Sequence, residues 1–124
     1  MAEYFSLEKA NEVLVEIRPM VAELLELRGE ILEKQPQVWP VIEKSAGNGG
    51  GKIASDLVRS FNRIDVLVRA ITATGAILKD VNSGLVDFLA VRDGRKVYLC
   101  WRFGEPEIQY WHDIEAGFAG RQPI

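Results

Sequence analysis

Hydrophobic and polar positions along this chain change period twice, and each change predicts a change of element. Between Ser6 and Lys34, apolar residues recur at Leu7, Ala10, Leu14, Ile17, Val21, Leu24 and Ile31. Steps of three and four place them on one side of a helix. Ser6 is a suitable N-cap, and Glu8 suits the positive end of the helix dipole. Pro19 removes a hydrogen bond and crowds the turn before it. Because the pattern resumes at once, a kink is predicted, not a break. A second stripe, Leu57, Phe61, Ile64, Val68 and Ile71, predicts a helix from about Lys52 to Thr74, closed by Gly75. The segment 35–51 reads as a loop, with Pro36, Pro40 and the run Gly47-Asn48-Gly49-Gly50-Gly51. Val38, Trp39, Val41 and Ile42 are too apolar for a free linker and are expected to pack as a short turn.

Beyond Ala76 the period becomes two. Gly84 to Arg92 and Lys96 to Phe103 read as strands around Asp93-Gly94, a two-residue hairpin turn. That turn pairs Arg92 with Arg95, Ala90 with Val97, Phe88 with Leu99 and Val86 with Trp101, an apolar face that belongs to the core. The other face places Leu89 by Tyr98, Asp87 by Cys100 and Leu85 by Arg102, with Asp87 and Arg102 near enough diagonally for an ion pair. Gly104-Glu105-Pro106-Glu107 reads as a second turn and Ile108 to His112 as a third strand. A four-residue turn sends Ile108, Tyr110 and His112 to the core and Trp111 to the mixed face. Residues 113–124 are expected to be irregular. The predicted fold is α+β, a single domain over 1–124: a long antiparallel helical hairpin packed on a three-stranded antiparallel sheet meander.

Composition alters this picture little. The 124 residues are 48% hydrophobic and 27% charged, enough for one core and too apolar for general disorder. No apolar run reaches the roughly 18 residues of a membrane span, and no signal peptide is apparent at the N-terminus. The single cysteine cannot form an internal disulfide, so a cytoplasmic location is expected. The net charge of −3 makes nucleic acid an improbable partner. The first helix is acidic and the second basic, which predicts that Arg59, Arg63 and Arg69 pair with the first. Two long apolar stripes over a modest sheet predict a homodimer through the helices.

Candidate chemistry is sparse. Gly51-Lys52 is no phosphate-binding loop, because Ala46 and Ile53 stand where glycine and Ser or Thr are needed. His112 and Asp113 point to opposite faces of a strand, a poor spacing for joint ligation. Cys100 faces Asp87 and, in the predicted register, lies away from His112, so no Cys-His pair forms. No paired cysteines suggest zinc. No metal and no cofactor are expected. The tail Gly117-Phe118-Ala119-Gly120-Arg121 is expected to dock through Phe118, with Arg121 reaching Asp87, Glu105 or an exogenous anion. The ligand-binding candidates are therefore Asp87, Cys100, Arg102, Trp111, His112 and Arg121, with a small anionic ligand in view.

Several blocks also carry a resemblance. Tyr4-Phe5-Ser6-Leu7-Glu8-Lys9-Ala10-Asn11, Gly84-Leu85-Val86-Asp87-Phe88, Arg92-Asp93-Gly94-Arg95, Val97-Tyr98-Leu99-Cys100-Trp101-Arg102, Gly104-Glu105-Pro106-Glu107, Tyr110-Trp111-His112 and Gly117-Phe118-Ala119-Gly120-Arg121-Gln122-Pro123 resemble a bacterial family catalogued as domain of unknown function 2203. Leu89 stands where that family is expected to carry proline. The resemblance implies a bacterial cytoplasmic origin and no particular activity. The leading functional reading is a small, dimeric, non-catalytic binding or regulatory domain. The alternative is a small enzyme or metal-dependent protein with a polar site formed by the sheet and the C-terminal tail.

Overall fold

The computed structural model describes residues 4–47 and 58–124. The rest of the glycine run after Gly47 and the start expected for the second helix, including Leu57, lie outside them. The fold is α+β, with three α-helices and a five-stranded antiparallel sheet among the described residues.

Helix α1, Leu7–Lys34, begins where its sequence says it should. The Ser6 hydroxyl accepts from the Lys9 amide at 3.1 Å. The helix passes through Pro19 without interruption and buries Ala10, Val13, Leu14, Ile17, Val21, Leu24 and Ile31. The expected loop after it is instead a 3-10 turn at Pro36–Val38 and a helix, α2, Trp39–Ser45. Trp39 and Ile42 drive this, since both are buried in the common core. Pro40 sits in the first turn of α2, where its missing N–H costs nothing. Helix α3, Val58–Ala73, buries Phe61, Ile64, Leu67 and Ile71. Gly75 follows it with φ +94°, and its amide bonds the Thr72 carbonyl. The expected charge pairing is present between Arg63 of α3 and Glu23 of α1. Arg69 instead pairs with Asp65 one turn back on its own helix. The first half of α1 shares a groove with the end of α3, at Ala70, Ala73 and Thr74, so the two run antiparallel with α2 between them in sequence.

The sheet runs in chain order: β1 (Ile77–Asp80), β2 (Leu85–Arg92), β3 (Arg95–Arg102), β4 (Tyr110–Asp113) and β5 (Gln122–Pro123). The three-strand expectation missed both edges. β1 is short and bulged between Leu78 and Asp80, so its alternation is weak. β5 is two residues of a tail without periodicity, pairing Pro123 with Tyr110 and Gln122 with Trp111. The central hairpin follows the predicted register at all eight pairs from Leu85–Arg102 to Arg92–Arg95. Its turn has Asp93 at φ +52° and Gly94 at φ +80°, the left-handed pair that a two-residue turn needs.

β4 does not follow its predicted register. Tyr98 pairs with His112, Leu99 with Trp111 and Cys100 with Tyr110, one residue away from expectation. A slip of one residue turns every side chain to the other face. Trp111 therefore joins the core, capped by the guanidinium groups of Arg92 and Arg95, while Tyr110 and His112 leave it. The cause lies in the connection from β3. Glu105 accepts from the Arg102 amide at 2.6 Å, and its carbonyl takes Trp101 Nε1 at 2.9 Å. Helix α1 holds the rest of the loop: Asn11 accepts from the Ile108 amide at 3.0 Å, and Arg18 donates to the Pro106 carbonyl at 2.6 Å. The loop is thus wide, not a tight four-residue turn.

The turn between β1 and β2 locks the sheet to α1 and α2. Asn82 accepts from Arg28 and from Trp39 Nε1, and donates to Glu43. Gly84 ends this turn at φ +71°, where a Cβ would stand 2.8 Å from Phe103 Cβ and 3.0 Å from Val21. Only glycine fits that close approach of sheet and helix. Of the helical stripes, Ala10, Leu14, Ile17, Val21, Leu24, Ile31, Phe61, Ile64 and Ile71 are buried within the chain, whereas Leu7 is 37% exposed.

Candidate functional site

The two faces of the sheet are unlike. Val86, Phe88, Ala90, Val97, Leu99, Trp101 and Trp111 form the core face. The outer face carries Leu85, Asp87, Leu89, Tyr98, Cys100, Arg102, Tyr110 and His112 by simple alternation. At its middle lie three groups that are almost wholly removed from solvent: Asp87 at 1%, His112 at 2% and Cys100 at 0% exposure. Their ligating atoms all fall within 4.8 Å of one another.

His112 Nδ1–H donates to the backbone carbonyl of Asp113 at 2.8 Å, since a carbonyl oxygen can only accept. Nε2 stands 3.1 Å from both Asp87 carboxylate oxygens. With Nδ1 already carrying a proton, a lone pair on Nε2 would face another acceptor. A proton shared between the carboxyl and the imidazole, or a bound cation, would satisfy both groups. Lys79, at the β1 bulge, brings its ammonium to 4.0 Å from Asp87 Oδ2 and 4.4 Å from the Tyr98 ring centre. Tyr98 also packs against His112, with ring centres 5.5 Å apart.

Cys100 is not poised as a nucleophile. Burial pushes its thiol up to about 12, and the charge and hydrogen bond of Asp87 add to that. The thiol donates toward Asp87 instead of giving its proton to His112. A Cys-His-Asp hydrolase needs the imidazole between thiol and carboxylate; here the carboxylate is in the middle.

The C-terminal segment folds back beside this centre. A 3-10 turn at Phe118–Gly120 precedes Arg121, whose Nη2 donates to both Glu105 carboxylate oxygens, at 2.6 and 2.8 Å. The guanidinium lies between the rings of Tyr110 and Phe118, 4.1 and 4.6 Å from their centres, and reaches the Cys100 carbonyl at 3.4 Å. Burial is the largest influence and opposes its charge, but Glu105, Cys100 and Tyr110 together hold Arg121 above the usual arginine range. Arg121 is thus occupied within the chain. Phe118 remains 41% exposed and lines a cleft of about 190 Å³ with Asp80, Ser83, Leu85 and Arg102. Arg102 does not pair with Asp87; its guanidinium lies 5.6 Å from the centre of the Phe118 ring.

Of the six residues singled out from sequence, the fold brings Asp87, Cys100 and His112 together, and places Arg102 and Arg121 beside them with the tail. Trp111 belongs to the core. The expectation that His112 faces away from Cys100 is overturned by the β4 register. Lys79 and Tyr98 complete the surroundings of the centre. Lys79 was missed because its strand was, although a lysine two positions from Ile77, which pairs with Asp87, marks that face once β1 is known.

The family model for the uncharacterised conserved proteins DUF2203 matches residues 3–124, essentially the whole chain. The chain belongs to this family. Both the buried centre and the folded-back tail therefore lie within the matched part of this DUF2203 protein. Comparisons with curated proteins and with solved structures gave no match. No helix among the described residues is long and apolar enough to cross a membrane.

Proposed function

We propose that this DUF2203 protein is a small non-catalytic binding domain that uses the outer face of its sheet. The observation that carries the reading is the buried Asp87–Cys100–His112 centre on the face turned away from the core. Burying three polar groups there costs stability that an apolar face would have kept. The neighbouring cleft supplies the second part of the face. Arg102 offers a guanidinium with no carboxylate partner among the described residues, and Phe118 offers a half-exposed ring, a combination suited to a small anion with an organic body. The thiol held protonated under burial argues against nucleophilic catalysis.

The test is a titration with inorganic phosphate and with benzoate, followed by NMR. Shifts concentrated at the Arg102 side chain, Ser83 and Phe118 are expected, and Arg102→Ala should remove them. Arg121→Ala should lower stability through loss of Glu105 and leave those shifts in place. Absence of any localised shift would defeat the anion-binding reading. Rapid alkylation of Cys100 by iodoacetamide in the folded protein would favour the enzyme reading instead.

A further inference from the structure

We infer that Asp87, Cys100 and His112 form a binding site for a zinc-class divalent ion. The inference rests on the reading of the outer face as a binding face and names a ligand for its buried part. Three features carry it. The first is the donor set: one thiol, one imidazole nitrogen and one carboxylate, a combination that suits zinc and not calcium or magnesium. The ligand atoms lie within 4.8 Å, and donors around a tetrahedral zinc are roughly 3.3–3.6 Å apart, as follows from zinc–ligand bonds of about 2.0–2.3 Å. Small side-chain rotations close that difference.

The second feature is the orientation of His112. Its Nδ1–H is fixed on the Asp113 carbonyl, so Nε2 is turned toward Asp87 and the cluster. A backbone carbonyl behind the imidazole is the usual support for a metal-bound histidine. The third feature is charge. A carboxylate, a thiolate and a neutral imidazole together carry −2, which a divalent ion cancels within the buried site. Asp87 turns both oxygens toward Nε2 at 3.1 Å, so its carboxylate offers a fourth donor atom without a fourth residue. Lys79 is 38% exposed and covers Asp87 from solvent. On binding, the thiol releases its proton to solvent and a metal–sulfur bond forms, with no change of oxidation state.

The chain has one cysteine and one histidine, which makes the test unambiguous. The metal-free full-length protein is titrated with Co²⁺ and then with Zn²⁺ as competitor. One equivalent of Co²⁺ should produce thiolate-to-cobalt charge-transfer absorption in the near ultraviolet, and Zn²⁺ should abolish it. Cys100→Ser should remove the absorption and weaken Zn²⁺ binding more than roughly a hundredfold, beyond the cost of losing an outer partner. No thiolate absorption from the wild-type protein overturns the site without reliance on any variant. Zn²⁺ binding that survives in both Cys100→Ser and His112→Gln also overturns it, because the ion then sits on surface carboxylates. The phosphate shifts at Arg102 and Phe118 are read separately. If they appear without cobalt absorption, the metal site fails and the binding face stands. Cobalt absorption without those shifts retains the metal site and removes the anion cleft.

Discussion

The core face and the outer face of the sheet are built on the same strands with alternate residues, yet they answer to different demands. On the core face Phe88 meets Phe5 edge-on, Trp101 meets Phe103, and each contact adds apolar area removed from water. On the outer face Asp87, Cys100 and His112 are as deeply buried, but each needs a specific partner to tolerate burial. A core residue is stabilising wherever it is covered. A buried polar residue is tolerable only in the geometry that pairs it. The first face explains why the chain folds, and the second is where the fold spends stability on something else.

Substitutions can break that contrast. Trp101→Ala should have the largest effect, about 4 kcal/mol by urea denaturation, because a wholly buried indole leaves a cavity and strips the Glu105 carbonyl of its donor. A loss below about 1 kcal/mol would mean that this face is not the core. On the outer face, His112→Leu alone should cost about 3 kcal/mol, since it leaves the buried Asp87 carboxylate with only a thiol and a Lys79 ammonium 4.0 Å away. The double change Asp87→Leu with His112→Leu should recover most of that loss. A double variant as unstable as the single one would show that the polar centre stabilises the fold, and the contrast between faces would disappear.

A smaller effect concerns the turn that joins the two sides. Burial alone would raise the Asp80 carboxyl, but the Asn82 amide, the Ser83 hydroxyl, the Asn82 side chain and Arg28 together hold it below the ordinary 3.8. Its folded value is depressed, so its contribution is complete above pH 3.8 and is lost as pH falls through the lower folded value. Urea midpoints of the wild type and of Asp80→Asn should therefore differ at neutral pH and converge well below pH 3.8. A difference that stays constant with pH would remove Asp80 ionisation as the cause.

Sequence alone determined what local chemistry controls. Ser6 started α1, steps of three and four marked the buried sides of α1 and α3, and Asp93-Gly94 set all eight pairs of the central hairpin. That last result already placed Asp87 beside Cys100. It did not bring in His112, because nothing between Phe103 and Gln109 states how wide the connection is. The width depends on Asn11 and Arg18, which act from 97 and 88 residues away. The register that a four-residue turn predicts for β4 fails, since Ile108 is buried in the loop and Trp111 enters the core shielded by arginines. Helix α2 and strands β1 and β5 were likewise decided by tertiary contact. Trp39 and Ile42 find the core, β1 finds an open edge of β2, and the tail finds β4. Elements held by their own turn or cap can be read from neighbouring residues, whereas elements held by a distant partner acquire their register only when that partner is in place.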